Sequence, residues 1–528
     1  MKNRTYKTIK WVVAIYLFIH IILPLFALVG HISIHDIEEV LFSPQFMPML
    51  KNSLISTALT TVIAVSIAFV LAWCVNRTRI KYKGFWTVVF TLPMLIPSIS
   101  HGMSLTLLFG DNGIFTNLTG INIHLFGLTG IVMGATLYSF PIAFLMLTDI
   151  FQYEDYTTYE VAQVLGIPKS KQFFKITLSN LKKPLISTIF AVFTMVFTDY
   201  GVPLVVGGKM MTLPVYMYRE VIGLLNYSAG GIIGVILLFP AFIAFLIDLF
   251  NKDTAGTGTV SKAFLVKENK KRDMFAYILC FVTLIVVFLP ITVFLVLSFV
   301  KQYPVDYSFT FANIFKSLKL GVGGYLLNSL FIGLAGALLG TIITYYTAYV
   351  TARSKKTLSN MAMHLISLVS LSIPGIVLGL SYVLLFKGSF VYGTLIILVT
   401  VNITHFFASP YLMAYNSLQK FNPNLEDVSQ TLGISKTQML FDVYIPSTRG
   451  TILEMFSYFF VNSMVTVSAV SFLANFRTMP LSLLIPQFDS QSLIEPVAVI
   501  SITILIVNLI AKGTIFMLKH YFEKKEGI

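Results

Sequence analysis

Two stretches of the chain align without a gap and hold the residue types that invite a functional reading. The first runs Glu160-Val161-Ala162-Gln163-Val164-Leu165-Gly166-Ile167-Pro168-Lys169, and the second Asp427-Val428-Ser429-Gln430-Thr431-Leu432-Gly433-Ile434-Ser435-Lys436. Phe174 and Phe441 extend the match. In each, a carboxylate sits near a helix N-terminus, where the helix dipole favours it. About two turns later comes a glycine that can stop a helix. A second short helical segment then leads on through Ile176 and Leu178, or through Val443, Ile445 and Pro446. Such a unit is too polar to cross a bilayer. One copy would pass for an ordinary interfacial helix, but two at equivalent places argue for a shared task.

Chemistry of the bond-breaking kind is sparse. A charge inside an apolar run costs about 2.5–3.5 kcal/mol at a helix centre, so each one is a functional candidate. Asp199, beside Gly201 and Pro203, is a pathway candidate or a paired structural carboxylate, and Thr466 is a second pathway candidate. Glu454 is expected to snorkel to the interface, and His405 to be a hydrogen-bonded interior histidine. His20, His101 and His364 show no ligand spacing, and the two cysteines, Cys74 and Cys280, supply neither a disulfide framework nor a metal site. No Gly-x4-Gly-Lys-Ser/Thr phosphate loop occurs. Neither a catalytic residue, nor a metal site, nor a cofactor is expected in this chain.

The elements that must carry these loops are apolar runs. Six lie at 11–30, 53–75, 85–109, 128–150, 185–206 and 230–250, and six more at 274–300, 326–350, 361–386, 391–416, 452–473 and 494–518. A polar stretch at 251–273, with Lys252 and Lys262, separates the two sets as a linker. The halves repeat: Asn52-Ser53-Leu54 is echoed by Asn328-Ser329-Leu330, Arg77 by Arg353, and Pro97 with Gly102 by Pro374 with Gly379. Six crossings return the chain to the same side, so both halves share one orientation and imply a pathway between parallel repeats. The division is therefore 1–250, 251–273 and 274–528, an all-α membrane protein of about twelve helices in two tandem six-helix domains.

Composition agrees. Of 528 residues, 56% are hydrophobic and only 11% charged, which excludes a soluble enzyme and a disordered chain. The net charge of +14 reflects basic loops, with Arg77, Arg79, Lys81 and Lys83, with Lys169 to Lys183, and with Arg353, Lys355 and Lys356. These alternate with poorly basic loops, so the positive-inside rule puts them, the linker and both termini in the cytoplasm. No nucleic-acid partner is implied.

The paired loops resemble the EAA signature of ABC-importer permeases of type I. Glu160, Ala162, Gly166, Ile176 and Leu178 fit it in the first half, with Ser179 where proline is usual; Asp427, Gly433, Val443, Ile445 and Pro446 fit in the second, with Ser429 in a small-residue position. The fused six-plus-six arrangement is similar to permeases for ferric iron and 2-aminoethylphosphonate. The resemblance implies a transport subunit and no enzyme, in a bacterial cytoplasmic membrane. It further implies docking of these loops on two copies of a separate ATPase that binds ATP and Mg, and cargo delivered by an extracytoplasmic solute-binding protein. Ferric iron or an organophosphonate is the expected cargo; a polyamine or thiamine permease, or an ion-coupled secondary transporter, are the alternatives.

Overall fold

The computed structural model describes residues 2–152, 154–251, 264–354 and 357–525. Linker residues 252–263, including Lys252 and Lys262, lie outside the described residues, as do Lys355 and Lys356. Among the described residues, eight helices are long and apolar enough to cross a membrane, from Tyr6–Gly30 to Ile494–Phe522. The number rises to eleven if each of three bent helix pairs is one span. The eleventh expected span, 452–473, is not among them and is helical only over Arg449–Val465. Thr466 turns extended, with ψ 137°, and its carbonyl accepts from the Ser482 hydroxyl at 2.7 Å instead of from a further helical turn.

Proline sets two of the bends. Lys83–Leu95 meets Ser98–Thr119 at 93°, and Leu358–Ser372 meets Gly375–Phe386 at 113°. The residue before each proline, Ile96 or Ile373, is extended, as crowding by the following ring demands. Pro97 and Pro374 then cap the next helix. The repeated glycines allow close backbone approach there: a Cβ on Gly102 would stand 3.3 Å from the Val202 carbonyl, and one on Gly379 2.8 Å from that of Ala469.

Packing groups the chain into two compact units. One comprises Ser43–Tyr216 and Phe239–Phe309; the other Met1–Phe42, Met217–Leu238 and Thr310–Ile528. In the first unit, helix Lys270–Ser298 packs on Phe46–Arg77 and Ser98–Phe109. It continues into a short antiparallel hairpin, Val300–Gln302 with Asp306–Phe309. The Tyr303 hydroxyl ties this hairpin to the Asn112 carbonyl at 2.6 Å. In the second unit, Tyr6–Gly30 widens to a π-turn at Phe18–Ile22. A π-turn frees a backbone carbonyl, and the His20 carbonyl accepts from the Tyr382 hydroxyl at 3.1 Å. Each packing unit thus draws helices from both sides of the expected linker at 251–273.

Candidate functional site

Each aligned loop folds into the same small structure. The first has helix Thr157–Val164, Gly166 at φ +67°, a turn at Lys169–Gln172 and a π-turn at Phe173–Thr177. The second has helix Leu425–Thr431, Gly433 at φ +68°, a turn at Lys436–Met439 and a π-turn at Leu440–Tyr444. Positive φ is why both stops are glycine, since a Cβ there crowds the backbone. The Ile167 and Ile434 amides close these stops by donating to the Ala162 and Ser429 carbonyls, at 2.9 and 2.8 Å. Ser435 adds a capping box with Gln438.

The two helices bury and expose matching positions. Ala162 and Ser429 face inward, where a small side chain lets the helix lie close to its own unit. Val161 and Val428 are 54% and 52% exposed, Leu165 and Leu432 both 69%, and Phe174 and Phe441 64% and 60%. Ile167 and Ile434 complete each apolar face. Exposed apolar patches of this kind mark contact surfaces, and the same patch is made twice from matched residues. Glu160 is half-buried and Asp427 exposed, and both lie in the first turn of their helix. Ile176, Leu178, Val443, Ile445 and Pro446 are half-buried on the return to the membrane.

An arginine locks each loop to the end of a spanning helix. Arg77, the last residue of Phe46–Arg77, forms a buried ion pair with Glu154. The Tyr159 hydroxyl donates to the same carboxylate at 2.5 Å and lies 2.6 Å from the Thr177 hydroxyl, joining both ends of the loop. Burial, and after it Glu154, pushes the Tyr159 phenol up from its ordinary pKa. In the second loop Arg353 grips Glu426 through Nε at 2.7 Å and Nη2 at 2.5 Å. It also donates to the Phe421 and Asn422 carbonyls at 3.1 and 2.8 Å. The Tyr444 hydroxyl donates to Glu426 at 2.5 Å, and burial followed by that bond raises its pKa to about 12. Bidentate pairing of this type fixes geometry as well as charge.

Tyr6 lies beside the second loop, and Lys519 and Phe522 beside the helix Arg449–Val465 that follows it. The Lys436 ammonium stands 4.6 Å above the Tyr6 ring. Glu454 pairs with Lys519, and the Arg449 guanidinium lies 5.7 Å from the centre of the Phe522 ring.

The pathway candidates are placed elsewhere. Asp199 accepts from the Ser98 hydroxyl at 2.8 Å and from the Val202 and Gly201 amides at 3.0 and 3.3 Å. It thereby ties helix Gly201–Val206 to the start of Ser98–Phe109. The same carboxylate borders a cavity of about 10 Å³ with Ser53, Thr57 and Thr212. Thr466 is buried at the end of its helix. His405 departs from the expected hydrogen-bonded histidine: its Nδ1 is buried with no partner among the described residues. It sits at a 53° break between Leu395–His405 and Ala408–Gln419, its ring 4.5 Å from that of Phe406. Among the described residues no group of three His, Cys, Asp or Glu could hold a metal ion.

Sequence reasoning identified the loops but missed their clamps and their exposed apolar faces. Arg77 and Arg353 were visible as a repeated pair, yet Glu154 lies outside the aligned block and Glu426 at its edge. The faces were legible in principle, because Val161, Leu165, Ile167 and Phe174 recur by type in the second copy.

Comparison with known proteins gives the wider context. Residues 62–254 and 339–519 match the family described as binding-protein-dependent transport system inner membrane component. The ferric transport system permease protein of Actinobacillus pleuropneumoniae is 25% identical over 84% of this chain and 67% of its own. An Fe(3+)-transport system permease protein of Haemophilus influenzae is 22% identical over 92% of each. The molybdenum transport system permease protein of Azotobacter vinelandii is 26% identical over 38% of this chain and 91% of its own.

Proposed function

Because the chain belongs to the family of binding-protein-dependent transport system inner membrane components, we propose that this ABC-importer permease carries ferric iron. As such a permease it is a multi-pass inner-membrane transport subunit and not an enzyme. ATP hydrolysis resides on a separate ATPase, two copies of which sit one under each docking helix. The observation that carries this reading is the pair of matched apolar faces, Val161, Leu165 and Phe174 in one and Val428, Leu432 and Phe441 in the other. One repeated surface fits two copies of one partner.

ATP-driven closure of the ATPases moves Thr157–Val164 and Leu425–Thr431. The arginine clamps pass that motion to the ends of Phe46–Arg77 and Val322–Ala352, and the pathway alternates between outward-open and inward-open. The docking side is cytoplasmic and holds both termini, a reading supported by Tyr6 beside Lys436 and by Phe522 beside Arg449. Cargo arrives on an extracytoplasmic solute-binding protein. Ferric iron is favoured because the relatives that cover most of this chain are ferric permeases. The iron is cargo and needs no resident site in the permease.

The test is co-purification from the native membrane, followed by ATPase assay in vesicles with the co-purified binding protein. Ferric-loaded binding protein is expected to stimulate hydrolysis several-fold over the apo form. Stimulation by another solute and none by ferric iron would refute the cargo. Recovery of no ATPase, with uptake driven by an ion gradient, would refute the importer itself.

A further inference from the structure

The residues just after the undescribed stretch of the linker pack onto the first docking loop. The centre of the Phe264 ring lies 3.7 Å from the Arg77 guanidinium carbon, which is also 5.1 Å from the centre of the Phe151 ring. The same ring meets Tyr156 and Tyr159 edge-on, each with centroids 5.1 Å apart. It therefore touches both the buried cation of the clamp and the tyrosine that donates to Glu154. Guanidinium–ring stacking of this kind strengthens as water is excluded, and Arg77 and Glu154 are both buried.

The residues that follow stitch this contact to a spanning helix. Lys267 donates to the Gln163 side chain at 3.3 Å, and Arg79 bonds Glu268 at 3.0 Å. Asn269 caps helix Lys270–Ser298 by accepting from the Arg272 amide at 3.1 Å. Asp273 and Tyr277, on that helix, receive the Arg79 and Lys81 amides at 3.2 and 2.8 Å. The end of Phe46–Arg77 and the first loop thus meet around the Phe264 ring, while Glu268, Asp273 and Tyr277 bond the turn after Arg77 to the start of Lys270–Ser298.

The second loop is built differently. Its arginine is covered by the loop's own rings, with Arg353 5.4 Å from the Tyr444 ring and Phe421 packed edge-on against Tyr444 at 5.3 Å.

From this asymmetry we propose that Phe264 is a positioning residue for coupling: it holds the first docking helix against Arg77–Glu154 and joins that helix to Lys270–Ser298. This rests on the reading of Thr157–Val164 as an ATPase-docking helix. A fused chain gains from this arrangement, because the segment entering the second half braces the docking loop of the first.

The test uses the full chain with its co-purified ATPase, in wild type, Phe264→Ala, Phe264→Tyr and, as a control in the same segment, Leu265→Ala at an exposed side chain. Hydrogen exchange reads local opening. In Phe264→Ala, exchange across 157–166 is expected to quicken about ten-fold, the scale of one lost buried cation–ring contact, while 425–433 stays unchanged. Uptake per ATP hydrolysed is expected to fall about three-fold or more with the ATPase still bound, and Phe264→Tyr restores both readouts. Unchanged exchange and coupling in Phe264→Ala would overturn the proposal while leaving docking intact. Equal quickening of both loops would also overturn it, as a general loss of stability. Failure of the wild-type chain to bind an ATPase would instead defeat the docking reading, leaving the exchange experiment to judge the brace alone.

Discussion

Tyr159 and Glu426 stand at the same register of helices Thr157–Val164 and Leu425–Thr431, four residues before Gln163 and Gln430, and their clamp roles are exchanged. In the first loop the helix contributes the phenol and Glu154 the carboxylate; in the second the helix contributes the carboxylate and Tyr444 the phenol. Arginine, carboxylate and tyrosine meet at the end of a spanning helix in both. The two halves build the same constellation from differently placed donors, so the joint does not require one residue type at any one position.

Removing either arginine should therefore cost more than an ordinary surface charge. Arg77→Ala leaves Glu154 buried without its partner, a change worth about 3–5 kcal/mol of destabilisation. Thermal unfolding of the detergent-solubilised chain should fall by several degrees, and Arg77→Ala combined with Glu154→Gln should recover part of the loss. No recovery in the double variant would show that the pair itself is not the source.

Arg353→Lys keeps the charge but not the fork. A lysine cannot reach both Glu426 oxygens and the Phe421 and Asn422 carbonyls together. Uptake should drop at least ten-fold while the protein still inserts and the ATPase still binds. Uptake equal to wild type would mean that one point charge suffices.

The tyrosine bonds give a pH expectation. With the Tyr444 phenol raised to about 12, its bond to Glu426 contributes fully below the ordinary tyrosine pKa of about 10 and is lost only as pH rises through 12. Tyr444→Phe should lose about 1 kcal/mol, and the loss should be the same at pH 6 and pH 9. A difference that varies across this window would contradict the assignment.

Glycine stops helices Thr157–Val164 and Leu425–Thr431 because φ is positive there. Gly166→Val and Gly433→Val each force a branched side chain into the left-handed region, at about 1–2 kcal/mol or more. ATP hydrolysis should continue without matching uptake, whereas Gly166→Asn, a residue that tolerates this region, should be mild. Equal behaviour of valine and asparagine would remove backbone strain as the cause.

Asp199 separates two roles by a conservative change. Its oxygens hold Ser98, Gly201 and Val202, so Asp199→Asn, with one acceptor oxygen left, should weaken folding. If cargo depends on the charge, uptake will fall further than protein level does. The ratio of uptake to folded protein decides between the two.

Much of this was legible in the sequence where a local rule decides the outcome. Gly166 and Gly433 end helices because of their own backbone, and Pro97 and Pro374 bend spans because of the residue before each ring. Long-range partnerships were not legible. Nothing in the spacing ties Glu154 to Arg77 or Phe264 to either, since the contacts join residues far apart in sequence and the second half solves the same problem with other residue types. The placement of helix Tyr6–Gly30 in the unit formed mainly by Thr310–Ile528 was equally hidden, because an apolar periodicity says that a helix is buried or lipid-facing but not against what.

The central claim is that two copies of the same ATPase occupy the two loop helices, one on each. A photo-crosslinking residue placed at Leu165 or at Leu432, each 69% exposed, should capture the same ATPase from the native membrane, identified by mass spectrometry, whereas placement at the buried Ala162 should capture none. Capture of the ATPase from neither exposed position, with the complex intact by co-purification, would contradict the account.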